Sequence, residues 1–134
     1  ITITSRGEAR AGFVATGDRG RAHCEQLHKT LECGVLQLDQ KIHKNSTRSQ
    51  HRLQFYSKGD VEKLLKMILP HLQMKDIQAK AVLQYLQEED PLRKTELLRV
   101  VRYNNWKDDA TKAESLLSQW ECSTDDIAKW AEGI

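Results

Sequence analysis

The spacing of apolar side chains changes once along the chain, from a period of two to a period of 3.6. Up to about residue 57, apolar and polar positions alternate in four short runs, which is typical of strands that bury one face. Polar turns at Gly7-Glu8-Ala9 and Asn45-Ser46-Thr47 join these runs into two hairpins. The predicted strands cover residues 1–6, 10–16, 35–44 and 49–57.

A helix is predicted between the two hairpins, over residues 20–32. Cys24, Leu27 and Leu31 fall on one stripe of this segment, so the helix would bury a single face. Asp18 is placed to cap its start, and Gly34 stands where a glycine commonly ends a helix.

The second hairpin has one apolar and one polar face. Its buried face is expected to hold Leu36, Leu38, Ile42, Leu53 and Phe55, with Gln40 as a polar exception. Its opposite face is expected to carry Gln37, Asp39, Lys41 and His43 from one strand, and Gln50, Arg52 and Gln54 from the other. This face would consist of long polar side chains.

From residue 60 onward the apolar period predicts five helices. Four of them are expected to begin at a capping side chain: Asp60, Asp90 before Pro91, Asp109, and Ser123 or Thr124. The remaining one is expected to begin near residue 75. Because such amphipathic helices need an apolar surface to pack on, we expect them on the apolar face of the sheet. The predicted fold class is α+β: a four-stranded antiparallel sheet of two hairpins with helices packed on one face. Residues 1–134 would form one domain, with the sheet and core helices in 1–90 and extra C-terminal helices in 91–134.

Composition narrows the class of protein. The 134 residues include 39% apolar side chains, enough for one core, and no apolar run long enough to cross a bilayer, so no membrane partner is expected. Cys24, Cys33 and Cys122 form no C-x-x-C pair and match no zinc spacing, which favours an intracellular setting, with an organelle or the nucleus open. Residues 1–58 carry ten basic and five acidic side chains, whereas residues 59–134 carry eleven and fourteen. The first part is therefore suited to an anionic partner.

Two stretches make the chain similar to a known family. With the order hairpin, helix, hairpin, helix, helix, the segment 57–80 (SKGDVEKLLKMILPHLQMKDIQAK) resembles the LAGLIDADG homing endonucleases, especially the homodimeric members from algal organelle introns. Residues 130–134 (WAEGI) are similar to the helical part of the family motif, and residues 1–4 (ITIT) to the strand that follows it. The acidic turn that joins the two in the family is missing. The resemblance implies one half-unit of that fold, either excised, reordered, or lying between two motifs of a longer protein.

The resemblance implies that the polar sheet face contacts double-stranded DNA. A two-stranded ribbon fits the major groove, where Arg and Lys pair with guanine, Gln with adenine and Asp with cytosine. The base-contacting residues would be Gln37, Asp39, Lys41, His43, Gln50, Arg52 and Gln54. Near the strand ends, Lys44, Arg48, Arg6 and Arg10 would hold phosphates.

Cleavage in the family depends on Mg²⁺ held by a carboxylate at the foot of each motif helix. By the resemblance that carboxylate would lie beyond Ile134, and Glu132 sits about a turn too early to replace it, so no metal ligand is assigned to this chain. Lys75 matches a family lysine near the scissile phosphate, where it would stabilise developing charge. A surface lysine in a first helical turn would show the same pattern.

The leading interpretation is a sequence-specific DNA-binding unit that does not cleave on its own. Three alternatives stay open: a Mg²⁺-dependent endonuclease whose acidic turn is supplied from elsewhere, an intron RNA-binding splicing factor, and a protein-interaction domain. The enzymatic status is accordingly undecided. A second LAGLIDADG half, or a second copy of the chain, is the protein partner that the resemblance implies.

Overall fold

The computed structural model describes residues 1–41 and 47–134. The described residues form four strands and six helices: β1 Thr2–Ile3, β2 Ala9–Thr16, α1 Gly17–Leu31, β3 Val35–Gln40, β4 Gln50–Phe55, α2 Lys58–Ile68, α3 Asp76–Gln87, α4 Pro91–Trp106, α5 Ala110–Trp120 and α6 Thr124–Ala131. A single 3₁₀ turn, Leu69–His71, follows α2.

The four strands form one sheet in the order β1-β2-β4-β3. Strand β4 pairs antiparallel with β2 on one side and with β3 on the other. The predicted α+β class with a four-stranded antiparallel sheet is therefore confirmed. The chain also divides into two compact units, residues 10–64 and residues 1–9 with 65–134.

In the unit of residues 10–64, α1 packs against β4 and β3. Leu53 and Phe55 of β4 are fully buried, as is Cys24 of α1, and the ring of Phe13 meets Phe55 edge-on at 6.3 Å. Gly20 brings α1 close to β2, because a Cβ at this glycine would lie 2.8 Å from the Cβ of Ala15. The absence of a side chain at residue 20 thus sets the distance between helix and strand.

Both ends of α1 differ from the prediction. The N-cap is Thr16, and Asp18 lies within the first turn, where its charge still favours the positive end of the helix dipole. At the other end Glu32 adopts the left-handed conformation, with φ 55°, and its N–H donates to the carbonyl of His28. Gly34 follows with φ 91°, and a Cβ there would lie 2.8 Å from the Phe55 ring. Gly34 therefore serves the approach to β3, while a glutamate makes the helix end.

In the unit of residues 1–9 and 65–134, α3 and α4 pack against each other and against β1. The short strand β1 is held by three side chains that donate to its backbone or to its turn. Asn105 Nδ2 lies 2.9 Å from the carbonyl of Ile1, Arg102 Nη2 lies 3.1 Å from that of Thr4, and Tyr85 Oη lies 2.8 Å from that of Gly7. These bonds supply the partners that a two-residue strand cannot supply itself.

From residue 60 onward the helices start near the predicted positions, and the capping side chain differs from the prediction at α2 alone. Asp90, Asp109 and Ser123 accept from backbone N–H groups of the first turns, and Ser123 forms a reciprocal capping box with Asp126. At α2 the side chain that accepts is Ser57, from the N–H of Asp60 at 3.1 Å. The carboxylate of Asp60 accepts instead from the N–H of Gly34 at 3.2 Å.

The helix period alone would bury Ile77, in the first turn of α3, and Ala110, at the start of α5, but both are exposed. Helix α6 ends at Ala131, Glu132 is extended and Gly133 has φ 82°, so the stretch 130–134 is not a continuous helix.

The buried side of β4 should dominate the stability of its unit. We expect Leu53→Ala to lower the free energy of unfolding by about 2–5 kcal/mol, because it leaves a cavity beneath the sheet. Val14→Ala, on the solvent side of the neighbouring strand, should cost less than about 1 kcal/mol. Urea denaturation of both variants checks this, and equal losses would contradict the assigned faces.

Candidate nucleic-acid interface

The outer face of β2, β4 and β3 carries a grid of nine positions. The strand register places outward residues side by side in three rows: Thr16, Gln50 and Gln40; Val14, Arg52 and Gln37; Gly12, Gln54 and Val35. The inward residues of β4, which are His51, Leu53 and Phe55, are at most 2% exposed, and this fixes which face looks outward. The grid therefore holds four glutamines and one arginine, with no carboxylate at any of its nine positions.

The grid has the dimensions of a groove-binding surface. Strands lie about 4.8 Å apart and rise about 3.4 Å per residue, so three strands by five residues cover about 10 by 14 Å. Tyr56 and Arg10 extend the same face by one row, and the guanidinium of Arg10 lies 4.7 Å from the Tyr56 ring centroid. Arg10 Nη1 also donates to the carbonyl of Tyr56 at 3.2 Å.

Gln50 and Arg52 form a pair on the central strand. Arg52 donates from Nε at 3.0 Å and from Nη2 at 2.7 Å to the same oxygen, Oε1 of Gln50. Since a guanidinium has only donors, the amide must present its oxygen here. The pair consequently offers N–H groups to anything that approaches the grid, and this favours an acceptor-rich partner.

Asp39 does not share the face of Gln37. Between Gln37 and Gln40 the register of β3 against β4 shifts by one residue, because Gln37 pairs with Arg52 but Gln40 pairs with Gln50. Asp39 lies in this bulge with φ 57°. Its backbone N–H donates to Nδ1 of His51 at 3.0 Å, and its carboxylate pairs with Arg21 of α1, the helix on the inner side of the sheet. The expectation that Asp39 projects outward beside Gln37 is therefore wrong.

The Arg21 guanidinium is held by two carboxylates. Hydrogen bonds to Asp39 first, and to Glu25 second, raise the pKa of Arg21 above its usual range. The Nε of Arg21 lies 3.0 Å from the Glu25 carboxylate, one turn along α1. The carboxylate of Asp39 is thereby paired with a cation of α1, with both side chains still in contact with solvent.

The remaining predicted contact residues are distributed unequally. Gln37, Gln50, Arg52 and Gln54 share the grid, and Lys41 and Arg48 are exposed beyond the ends of β3 and β4. His43 and Lys44 lie outside the described residues. Arg6 is exposed in the turn between β1 and β2.

Lys75 is the N-cap of α3 and is exposed. Among residues 1–41 and 47–134, no group of three or more His, Cys, Asp or Glu side chains is arranged to hold a metal ion. We therefore assign no Mg²⁺ ligand among the described residues.

The cysteines are not activated nucleophiles. Burial raises the pKa of the thiols of Cys24, Cys33 and Cys122, which keeps them protonated at neutral pH.

None of the described helices combines the length and apolar character needed to span a membrane.

Sequence reasoning overlooked His51 and Gln40. His51 follows the inward alternation of Leu53 and Phe55, and this signal was available in the pattern. Gln40 was the polar exception on the apolar side of β3, and the bulge explains it because the shift turns this residue outward.

The chain is similar to known proteins in its fold, but its sequence matches no known family. No protein-family model and no curated protein matches the chain. Among solved structures, the homing endonuclease I-CvuI in complex with its target in the presence of calcium is similar, with 16% identity, 86% of this chain and 76% of that chain covered, and a TM-score of 0.50. The chain has a LAGLIDADG-like fold. A structure of I-CvuI with the I-CreI target and magnesium, in which the DNA is not cleaved, is 17% identical over 93% of this chain and 76% of that chain, with a TM-score of 0.46.

The LAGLIDADG-like fold confirms the resemblance inferred from the order of elements and the segment 57–80. At 16% sequence identity, this similarity concerns the fold alone. The ligand of the grid is therefore determined by the side chains that the grid presents.

His51 should hold the bulge at Asp39. We expect His51→Leu to lower the free energy of unfolding by about 1–3 kcal/mol, since the Asp39 N–H loses its buried acceptor. The Asp39 amide should also exchange its hydrogen faster, as NMR would detect. His23→Leu, at an exposed position of α1, is the matched control. Unchanged exchange at Asp39 in the first variant would contradict this role.

Proposed function

We propose that the chain is a double-stranded DNA-binding unit that reads sequence through the grid on β2, β4 and β3. The observation that carries the proposal is the composition of the grid, in which four glutamines and an arginine occur without a carboxylate. Arg pairs with guanine and Gln with adenine in the major groove, so these side chains are suited to base edges.

The shape of the grid supports the same partner. A face of three strands, about 10 by 14 Å, matches a major groove about 12 Å wide. Basic side chains, Lys41 and Arg48, lie exposed beyond the strand ends, where a groove-bound ribbon meets phosphates. Positioning contacts at the edge would thus flank reading contacts at the centre.

Charge supports an anionic ligand for the unit that contains the grid. Residues 10–64 include ten Lys and Arg side chains against six Asp and Glu. Such an excess attracts a polyanion over a distance and makes affinity fall as salt rises. The structure of I-CvuI with its target concerns a protein of similar fold in complex with DNA, and this is consistent with the proposal.

The proposal does not include strand cleavage by this chain. Its described residues provide no cluster of three or more metal-ligating side chains, so we derive no metal-dependent step. Lys75 remains a proposed phosphate-stabilising residue of a complete site. The carboxylate of that site would come from a second chain or from sequence outside these 134 residues.

Loss of single cations should separate reading from positioning. We expect Arg52→Ala to reduce affinity for a selected duplex by about 1–3 kcal/mol and to relax the preference for one base pair, because guanine loses its donor pair. Lys41→Ala should weaken binding to all duplexes alike and lower the slope of log K against log salt by about one. Fluorescence anisotropy with duplexes enriched from a randomised pool measures both.

Matched controls come from α1, on the inner side of the same sheet. Arg19→Ala and Lys29→Ala remove the same charges from exposed helix positions and should leave base preference unchanged. If the α1 variants weaken binding as much as the grid variants, the proposed face is wrong. Preference for structured RNA in the same assay would favour RNA binding over DNA binding.

Binding and cleavage should dissociate. Incubated with its selected duplex and Mg²⁺, the 134-residue chain should leave both strands intact at protein concentrations that saturate binding. Denaturing gel electrophoresis shows the result, and a Lys75→Ala variant identifies any contaminating nuclease. Reproducible cuts that Lys75→Ala abolishes would make the chain an enzyme.

A further inference from the structure

We infer that Gln40, and not Asp39, is the base-contacting residue at the far end of β3, and that His51 is the positioning residue that determines this choice. The inference rests on the proposed function and deepens it, because it changes the class of base that this end of the grid recognises.

The register of β3 provides the first step. Ordinary alternation from Gln37 would place Asp39 outward and Gln40 inward. Opposite β4, however, Gln37 pairs with Arg52 and Gln40 pairs with Gln50, two residues that both face outward. One extra residue in β3 therefore exchanges the faces of Asp39 and Gln40.

Two side chains from other elements hold the exchange in place. His51, only 2% exposed, accepts the N–H of Asp39 at Nδ1, and this bond lies on the inner side of the sheet. Arg21 of α1 binds the carboxylate of Asp39 from that same side. Aspartate is also among the few residues that tolerate the positive φ found here. A slip that returned Asp39 to the outer face would break both bonds and leave His51 without its donor.

The chemistry offered to DNA changes with the exchange. An ionised aspartate only accepts hydrogen bonds and would suit the amino group of cytosine. A glutamine amide both donates and accepts, as the N7 and N6 edge of adenine requires. Gln40 Nε2 donates to the carbonyl of Leu38 at 3.0 Å, and the amide retains a second N–H and its oxygen for a base. The far row of the grid thus recognises adenine in preference to cytosine.

The test compares base preferences by selection from a randomised duplex DNA pool. Gln40→Ala should flatten the preference for adenine at one position of the enriched motif, with a loss on the order of tenfold in discrimination. Asp39→Asn keeps the tolerance for positive φ, the N–H that His51 accepts and an acceptor oxygen for Arg21, and should leave every position of the motif unchanged. The opposite result, or a motif altered by both changes or by neither, overturns the inference.

Base preference at single positions distinguishes a positioning role of His51 from a role in stability alone. His51→Leu should alter preference at the position assigned to Gln40 and leave the position assigned to Gln54 intact. If the folded variant keeps the wild-type motif, His51 does not position the reader. Should His51→Leu fail to fold, the Gln40 and Asp39 variants still decide the assignment.

Failure of the underlying function has a different signature. If the wild-type chain enriches no motif and Arg52→Ala does not change its affinity for duplex DNA, the proposed DNA-binding function fails. An enriched motif that depends on Arg52 but not on Gln40 overturns the present inference alone.

Discussion

The alternation of β4 is the constraint on which the described site depends. This strand lies between β2 and β3, and its inward residues His51, Leu53 and Phe55 are at most 2% exposed. A slip of one residue would bring two large apolar side chains into water and turn Arg52 into the core. Burial of Leu53 and Phe55 therefore specifies which residues face outward, on this strand and on its neighbours. The polar grid is a consequence of the core beneath it.

Much of this arrangement could be predicted because it follows from periodicity. The two hairpins, the helix between them and the later helices each bury one face, and a one-sided pattern identifies both the element and the face. Leu53 and Phe55 were assigned inward and Arg52 and Gln54 outward for this reason. The caps Asp90, Asp109 and Ser123 were predictable as well, since the chemistry of a helix start is local in sequence.

What could not be predicted depends on contacts between residues far apart in sequence. The bulge at Asp39 exists because a histidine 12 residues later accepts its N–H and an arginine 18 residues earlier binds its carboxylate. No glycine marks the position, so alternation continued through it assigns Asp39 and Gln40 to the wrong faces. The faces of β2 also depend on a contact that is distant in sequence. Phe13 and Val14 are both apolar, and only pairing with Leu53 and Arg52 places Phe13 inward and Val14 outward.

Electrostatics gives a reason for removing the acid of β3 from the outer face. A carboxylate about 8 Å from a phosphate costs about 0.5 kcal/mol in water, and about 2 kcal/mol at an effective dielectric constant of 20. This penalty is comparable to the 1–3 kcal/mol that one bidentate base contact contributes. With several phosphates along a groove, an outward Asp39 would offset the gain from Arg52. Pairing Asp39 with Arg21 offsets this repulsion and leaves the outer row to an uncharged amide. The bulge thus makes the grid compatible with a polyanion, although the sequence places an aspartate near the end of the edge strand.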